Sequence, residues 1–423
     1  MARTTQGCAT LPRVDSRLDR FRTYFERLDP ESRSSALLGE DRYAEPPGRA
    51  MGEQLASRLM LAPSSSHLVA GAVGTGKTTQ LYRAAEILRS AADTCAVYVD
   101  VSLQHDLNRD LVGVLVVLAG LALAKLVGKN ADEEVQTARQ SFRDWAYGQR
   151  EFIPYDPGDD EYDRYDDTRE PDEEPGHWQR RPGIIAPPLS PLSSGTEEKI
   201  EALKTLKQAL PGGARHFVIL FDSLDRLDDA EAFRKATIED VRALKKAGIG
   251  LVIVGPMRVL YGPNRSIFDI FDQVHIVPAV DVTQSPAGRD FLLRVLAKRA
   301  DESVVGAEAR EKLACASGGL LRDLLQLTRS AVEEAFIAEA EAVAPDHVER
   351  AVDEVGRTLM FGLHKGEIDT LEKLRRRGAF VPTDDTDIAL LVSRRIIEYQ
   401  GTMKRYAVHP AIEPLLASLR GQK

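Results

Sequence analysis

Gly71-Ala-Val-Gly-Thr-Gly-Lys77-Thr78-Thr79 is the stretch that decides how this chain is read. It fits the pattern G-x-x-x-x-G-K-[ST] at each fixed position. His67-Leu-Val-Ala70 before it reads as a short buried strand. Gln80 to Arg89 after it carries Leu81, Ala84, Ala85, Ile87 and Leu88 at helical spacing. Strand, glycine loop and helix together turn the pattern into a phosphate site. Gly71, Gly74 and Gly76 let the backbone curl so that successive N–H groups face an anion, with Thr75 and Thr79 in the same cradle. The helix N-terminus adds partial positive charge. Lys77 is expected to reach the β- and γ-phosphates, and the Thr78 hydroxyl to ligate Mg²⁺.

Length and composition bound the rest. A chain of 423 residues has room for about two to three domains and an ample core. A net charge of −9 argues against a generic polyanion binder, although a basic sub-region stays open. Cys8, Cys95 and Cys315 lie far apart, with neither a zinc spacing nor a disulfide framework, so a reducing cytoplasm is expected. Met1-Ala-Arg-Thr-Thr lacks an apolar run, so no signal peptide is expected. Leu111 to Ala124 is almost wholly apolar. As a helix it would span roughly 21 Å, short of the roughly 30 Å hydrocarbon core. A buried helix, or one packed on a partner, is expected there, and no membrane association.

Residues 1–35 form an N-terminal arm, polar except for an amphipathic helix from Arg17 to Leu28. Residues 36–284 read as the main α/β core. Asp41-Arg-Tyr43-Ala-Glu-Pro46-Pro47 is a proline-broken loop before a helix at Met51–Leu61, and Ala96-Val-Tyr-Val-Asp100-Val101 is a second strand. Residues 128–195 differ in character. Glu151 to Glu174 is densely acidic and Pro182 to Ser194 is rich in Pro and Ser, so an acidic, disordered insertion is expected. Order returns with a helix at Thr196–Leu210 and then His216-Phe-Val-Ile-Leu-Phe-Asp222-Ser-Leu-Asp225-Arg226. A continuous apolar run suits a parallel strand buried on both faces. Asp222 at its C-terminal end sits where open α/β sheets bind ligands, and is the expected Mg²⁺ carboxylate, acting through water. Two further strands, Gly248–Gly255 and Gln273–Pro278, complete a parallel sheet flanked by helices, a P-loop NTPase arrangement. Residues 285–361 have helical periodicity and read as a lid subdomain. Residues 362–423 hold a helix and two short strands joined at Gln400-Gly401-Thr402, the profile of a small winged-helix-like domain.

The glycine loop, Asp222-Ser-Leu-Asp-Arg226, Ser317-Gly-Gly-Leu-Leu-Arg322-Asp-Leu-Leu325 and the terminal wing resemble AAA+ P-loop ATPases, near the bacterial origin-recognition and STAND groups. The resemblance covers roughly residues 36–420 apart from the acidic insertion. It implies ATP and Mg²⁺ as ligands. Lys77 and Thr78 match the phosphate and metal residues, and Asp222 the metal-site Asp. Arg322 matches the sensor-2 arginine that reports the γ-phosphate. Tyr43 and Pro46 match the loop that packs on adenine. Arg265, with Arg258 as runner-up, lies where the family often keeps an arginine finger for a neighbouring subunit. Two positions depart from the pattern. The acid that follows the metal Asp and polarises water is Ser223 here, which leaves Asp225 as the substitute, and the sensor-1 position is Gly255. Both point to slow hydrolysis.

The residues also have plainer readings. Arg322 could be a surface ion-pair partner, Asp225-Arg226 an internal pair, and His409 a packed or capping histidine. Three functions follow. The first is an ATP-binding, slowly hydrolysing switch that controls self-assembly into a homo-oligomer or a partner protein, in bacterial defence or signalling. The second is a DNA-binding ATPase of replication, transposition or plasmid maintenance, whose basic face would hold Lys373, Arg375, Arg376, Arg377, Arg394, Arg395, Lys404 and Arg405. The third is a nucleotide-binding scaffold without useful turnover.

Overall fold

The computed structural model describes residues 16–30, 42–128, 131–148, 150–154, 176–180, 196–227, 229–261, 266–401 and 403–421. Residues 155–175 and 181–195 of the acidic stretch, and Arg265, lie outside the described residues. The chain divides into two compact units. A sheet unit comprises Gly52–Ala70 and Arg83–His275, and a loop unit comprises Met1–Met51, Gly71–Tyr82 and Ile276–Lys423.

The sheet unit is an α/β layer structure. Its sheet has five strands, β1 (Ser66–Ala70), β2 (Thr94–Asp100), β5 (His216–Asp222), β6 (Gly250–Val254) and β7 (Gln273–Ile276), in the order β2-β5-β6-β1-β7. The pairs β2–β5, β5–β6 and β6–β1 are parallel. Phe217 to Phe221 of β5 are wholly inaccessible to solvent, as the unbroken apolar run demands of a central strand covered on both faces. Because the three pairs are parallel, the C-terminal ends of β2, β5, β6 and β1 share one edge. The chain leaves β1 at that edge to enter the glycine loop and α3 (Lys77–Arg89).

The apolar run becomes α4 (Val114–Leu126), buried along most of its length against α5 (Glu133–Tyr147), α6 (Thr196–Gln208) and α7 (Ala230–Lys246), and a short α8 (Ser266–Ile270) comes before β7. Among the described residues no helix is long and apolar enough to cross a membrane. The N-terminus of α4 is capped from another helix: Asp240 of α7 accepts N–H bonds from Gly113 and Leu115, both at 2.9 Å. Burial pushes the Asp240 carboxyl up to about 7, against the opposing pull of the N–H groups of Leu115, Gly113 and Val116.

One expectation needs correction. The stretch 128–195 reads in the sequence as an acidic, disordered insertion, yet α5 lies inside it, with Val135, Ala138, Phe142 and Ala146 buried. Their spacing makes one helical face, which the acidic run downstream conceals when composition is averaged. Two short strands, β3 (Arg150–Pro154) and β4 (Gly176–Arg180), pair antiparallel with each other as a separate ladder.

The loop unit is helical. Helix α1 (Ser16–Arg27) docks on α11 (Leu321–Ile337), where the Arg17 guanidinium donates to the terminal carbonyls of Phe336 and Ala340, each at 3.0 Å. Helices α9 (Pro286–Ala297), α10 (Ala307–Ala316), α11 and α12 (Pro345–Met360) share a core around Leu292, Leu296, Leu313, Leu324 and Leu327. After them come α13 (Lys365–Arg377), α14 (Asp385–Val392), the antiparallel hairpin β8 (Ile396–Gln400) and β9 (Lys404–Val408), and α15 (Glu413–Gly421).

Truncating Phe142 tests the place of α5 in the core. Phe142→Ala is expected to lower unfolding stability by about 3–5 kcal/mol in urea titrations. Deleting Glu151 to Ser194 is expected to move the Tm by no more than a few degrees, because it removes only the separate β3–β4 ladder and shortens a connection. A neutral Phe142→Ala would show that α5 does not share the core.

Candidate functional site

The glycine loop is held in shape by its own bonds. The Thr75 hydroxyl donates to the Ala72 carbonyl at 3.0 Å. Lys77, the first residue of α3, is only 5% exposed, and its Nζ donates to the carbonyls of Gly71 at 3.0 Å and Ala72 at 2.9 Å. The ammonium therefore lies over the loop and not in solvent.

The turn Ser317–Leu320 and the start of α11 meet this loop inside the same unit. The Arg322 backbone N–H donates to the Gly74 carbonyl at 3.2 Å. Gly74 has φ 89, and a Cβ there would come within 2.7 Å of the Arg322 Cβ. Only glycine satisfies both the left-handed backbone and the close approach. The loop thus lies at the N-terminal ends of two helices, α3 and α11, both of which favour an anion. The Arg322 side chain is half-buried, and its guanidinium makes no hydrogen bond to any described residue.

Tyr43 and Pro46 sit on an irregular segment before α2 (Met51–Leu61). The Tyr43 hydroxyl accepts a bond from Gln80 Nε2 of α3 at 3.3 Å. Two arginines in and just after α9 hold the segment by its backbone: Arg299 donates to the Arg42 carbonyl and Arg294 to the Glu45 carbonyl, each at 3.1 Å. Arg299 is 7% exposed, and burial, with Arg42 beside it, lowers its guanidinium to about 10. These two arginines were not singled out from the sequence, since nothing local marks them as partners of a loop some 250 positions away.

In the sheet unit, Asp222 ends β5 at 3% exposure. Its carboxylate accepts the Tyr98 hydroxyl at 2.8 Å and the Ser223 N–H at 2.7 Å. The register places Asp100, the last residue of β2, directly beside Asp222. Asp100 accepts from the Ser102 N–H at 3.0 Å and hydroxyl at 2.7 Å. Neither Asp100 nor Tyr98 was picked from the sequence. The signal existed, because Val-Tyr-Val-Asp100 ends an apolar strand in an acid as Ile-Leu-Phe-Asp222 does.

The two departures have structural counterparts. Ser223 is buried with φ 72, and the chain turns there into a short 3₁₀ turn, Leu224–Arg226, that carries Asp225 at intermediate exposure. Gly255 leaves no room for a polar side chain: a Cβ would lie 2.7 Å from the Phe233 ring and 2.8 Å from Leu68. Arg258 lies half-buried on the turn Met257–Leu260.

The basic residues considered for DNA are largely engaged inside the chain. Arg375 and Arg376 pair with Glu372 at 3.3 and 3.2 Å, Lys404 with Glu398 at 2.8 Å and Arg405 with Asp281 at 2.8 Å. Arg394 pairs with Asp323, and Arg395 donates to the carbonyls of Leu359 at 2.7 Å and Phe361 at 2.6 Å. Lys373 and Arg377 make no ion pair with any described residue.

Gly74→Ala is expected to destabilise the chain by about 1–3 kcal/mol, since it forces a side chain into left-handed backbone against Arg322. Gly366→Ala, on a helix with no atom near its added Cβ, is expected to be neutral or stabilising by about 0.5–1 kcal/mol. Thermal melts of both variants check this. Equal Tm values would contradict the close approach.

No family model matches the sequence, and no curated protein does. Among solved structures the chain is similar to Drosophila ORC bound to DNA, at 14% identity over 99% of this chain and 96% of that one, with a TM-score of 0.40. It is similar to the ORC1 protein of Aeropyrum pernix in complex with DNA, at 17% identity over 92% and 96%, TM-score 0.41. It is also similar to the RuvB Holliday junction branch migration motor of Thermotoga maritima, at 13% identity over 87% and 94%, TM-score 0.37.

Proposed function

We propose that the chain is an ATP-binding, slowly hydrolysing switch whose nucleotide state controls its self-assembly or a partner protein. The observation that carries this reading is the glycine loop at the N-termini of α3 and α11, with Lys77 folded over it. In this reading the loop N–H groups hold the phosphates, and Lys77 exchanges the carbonyls of Gly71 and Ala72 for phosphate oxygens. Tyr43 and Pro46 pack on the base. Thr78 and Asp222 are each an oxygen donor of the kind a hard divalent cation takes, and Mg²⁺ would neutralise phosphate charge. Arg322 reads the γ-phosphate. Slow turnover follows from Ser223, which has no acid to offer, and from Gly255, where packing excludes a polar group. Asp225 and Asp100 are the carboxylates left to orient a water.

Calorimetry with ATP and Mg²⁺ tests the core of this. Wild type is expected to bind and Lys77→Ala to lose roughly tenfold or more in affinity. Equal affinities would overturn the reading. For hydrolysis, Asp222→Ala is expected to abolish turnover and Asp225→Ala to slow it. If Asp225→Ala keeps the wild-type rate and Asp100→Asn does not, Asp100 orients the water. The transition state also needs a cation on the open side of the phosphates, and an arginine supplied by a neighbour is worth roughly 10³–10⁵ in rate. Turnover per subunit is therefore expected to rise with protein concentration, and Arg265→Ala to lose rate while keeping ATP affinity. Specific activity that stays flat over a hundredfold dilution would count against assembly-dependent hydrolysis.

The DNA-binding reading is weaker, because the basic residues that would meet phosphates mostly serve the fold. Only Lys373 and Arg377 remain of that set, and so few contacts make binding shallow. Mobility shift of duplex DNA is expected to vanish by about 150 mM salt. Sub-micromolar binding that survives such salt would favour the DNA reading.

A further inference from the structure

The first turn of α11 faces two ways within the loop unit. On one side the Arg322 N–H meets the Gly74 carbonyl of the glycine loop at 3.2 Å. On the other side the next residue, Asp323, is held by the C-terminal hairpin. Asp323 is 3% exposed. Arg394 donates to its Oδ1 and His409 Nε2 to its Oδ2, the latter at 3.2 Å. The Ala411 N–H donates to His409 Nδ1 at 3.2 Å. Nδ1 is therefore the acceptor nitrogen, and the ring proton sits on Nε2, where it points at Asp323. Arg394 precedes β8 and His409 follows β9, so both ends of the hairpin close on one carboxylate.

More than one contact ties the hairpin to this turn. The Tyr399 hydroxyl of β8 donates to the Gly318 carbonyl at 2.8 Å. Ala279 and Tyr399 form a parallel bridge, and Arg405 of β9 pairs with Asp281 while lying 4.3 Å from the Tyr399 ring centre. Ala72 of the glycine loop packs with Ala279, Leu320, Ile397 and Tyr399 in one small apolar cluster. The glycine loop, the α11 turn and the hairpin are thus joined by hydrogen bonds, an ion pair and shared burial.

The chemistry of the clamp bears on its role. A buried carboxylate is costly unless it is paired and hydrogen-bonded, and breaking such a pair leaves an uncompensated charge. Arg394 sits at φ 65, a backbone region that a non-glycine residue keeps only where its surroundings hold it. These features concentrate on the residue next to Arg322, whose own guanidinium bonds to no described residue.

We propose that Asp323, Arg394 and His409 are positioning residues for Arg322, through which the C-terminal hairpin sets how strongly the chain prefers a nucleoside triphosphate over a diphosphate. The proposal rests on the nucleotide-switch reading above. The clamp fixes the rotation of the first turn of α11, and with it the direction in which Arg322 leaves the helix. Any partner that shifts the hairpin would alter triphosphate affinity, and a bound triphosphate would shift the hairpin in return, since such coupling is reciprocal.

The test is the ratio of ATP to ADP affinity of the full chain with Mg²⁺, measured by calorimetry, with a melting curve for each variant. Arg322→Ala is expected to remove most of the preference for ATP. Arg394→Ala is expected to reduce the ratio by about fivefold or more while leaving ADP affinity within about twofold. Arg394→Lys, which keeps the charge, is expected to restore part of it. The double variant is expected to be no worse than Arg322→Ala alone, because both act on one interaction. Should Arg394→Ala not fold, Asp323→Asn and His409→Gln, which preserve shape, carry the same expectation. A wild-type ratio in these variants beside a lowered ratio in Arg322→Ala would overturn the proposal. So would an equal loss of ATP and ADP affinity, the mark of a merely structural contact. Undiminished nucleotide binding by Lys77→Ala would instead overturn the switch reading itself, so the two failures are told apart.

Discussion

The bond from the Arg322 N–H to the Gly74 carbonyl is the constraint on which the candidate site depends. It forms only because residue 74 has no side chain and can hold φ 89. That contact fixes where α11 begins relative to the glycine loop. It places a second helix N-terminus on the loop and sets Asp323 to face the hairpin. The Gly318-Gly319 turn serves the same end, because the Val280 N–H donates to the Gly319 carbonyl at 3.0 Å and draws the segment after β7 against the turn. Local backbone freedom, at a few glycines, thus becomes long-range packing and then the geometry of the candidate site.

The sheet unit imposes a different constraint. Strands β5 and β6 are apolar and buried along their length, so the polar residues of β5, His216 and Asp222, stand at its two ends. Asp222 and Asp100 end adjacent strands side by side. At the end of β6 the same packing works against chemistry, since Phe233 and Leu68 leave no room beyond a hydrogen at Gly255.

Much of this was legible in the sequence. The glycine loop carries its chemistry in its spacing, β5 announces itself as an unbroken apolar run, and Ser317-Gly-Gly-Leu-Leu-Arg322 reads as a turn before a helix. What escaped depended on partners distant along the chain. Helix α5 was hidden because its apolar face adjoins an acidic run that dominates any composition window. The basic residues near the hairpin show their charge in the sequence and not their pairing. Arg394 finds Asp323, and Arg405 finds Asp281, across separations of 71 and 124 positions. The same holds for Arg294 and Arg299, which grip the Tyr43 segment by carbonyls that no motif could signal. His409 proved to be a packed histidine, as its plainer reading had it, with a defined acceptor and donor on either side of the ring.

The central claim is that nucleotide on the glycine loop is felt at the first turn of α11 and in the C-terminal hairpin. Amide hydrogen exchange of the full chain, with and without ATP and Mg²⁺, tests it most directly. The account predicts that ATP slows exchange in residues 71–79, in the turn Ser317–Asp323 and in the hairpin 396–408, and that Lys77→Ala shows none of these changes. Slowed exchange confined to residues 71–79, or the same pattern in Lys77→Ala, would contradict it.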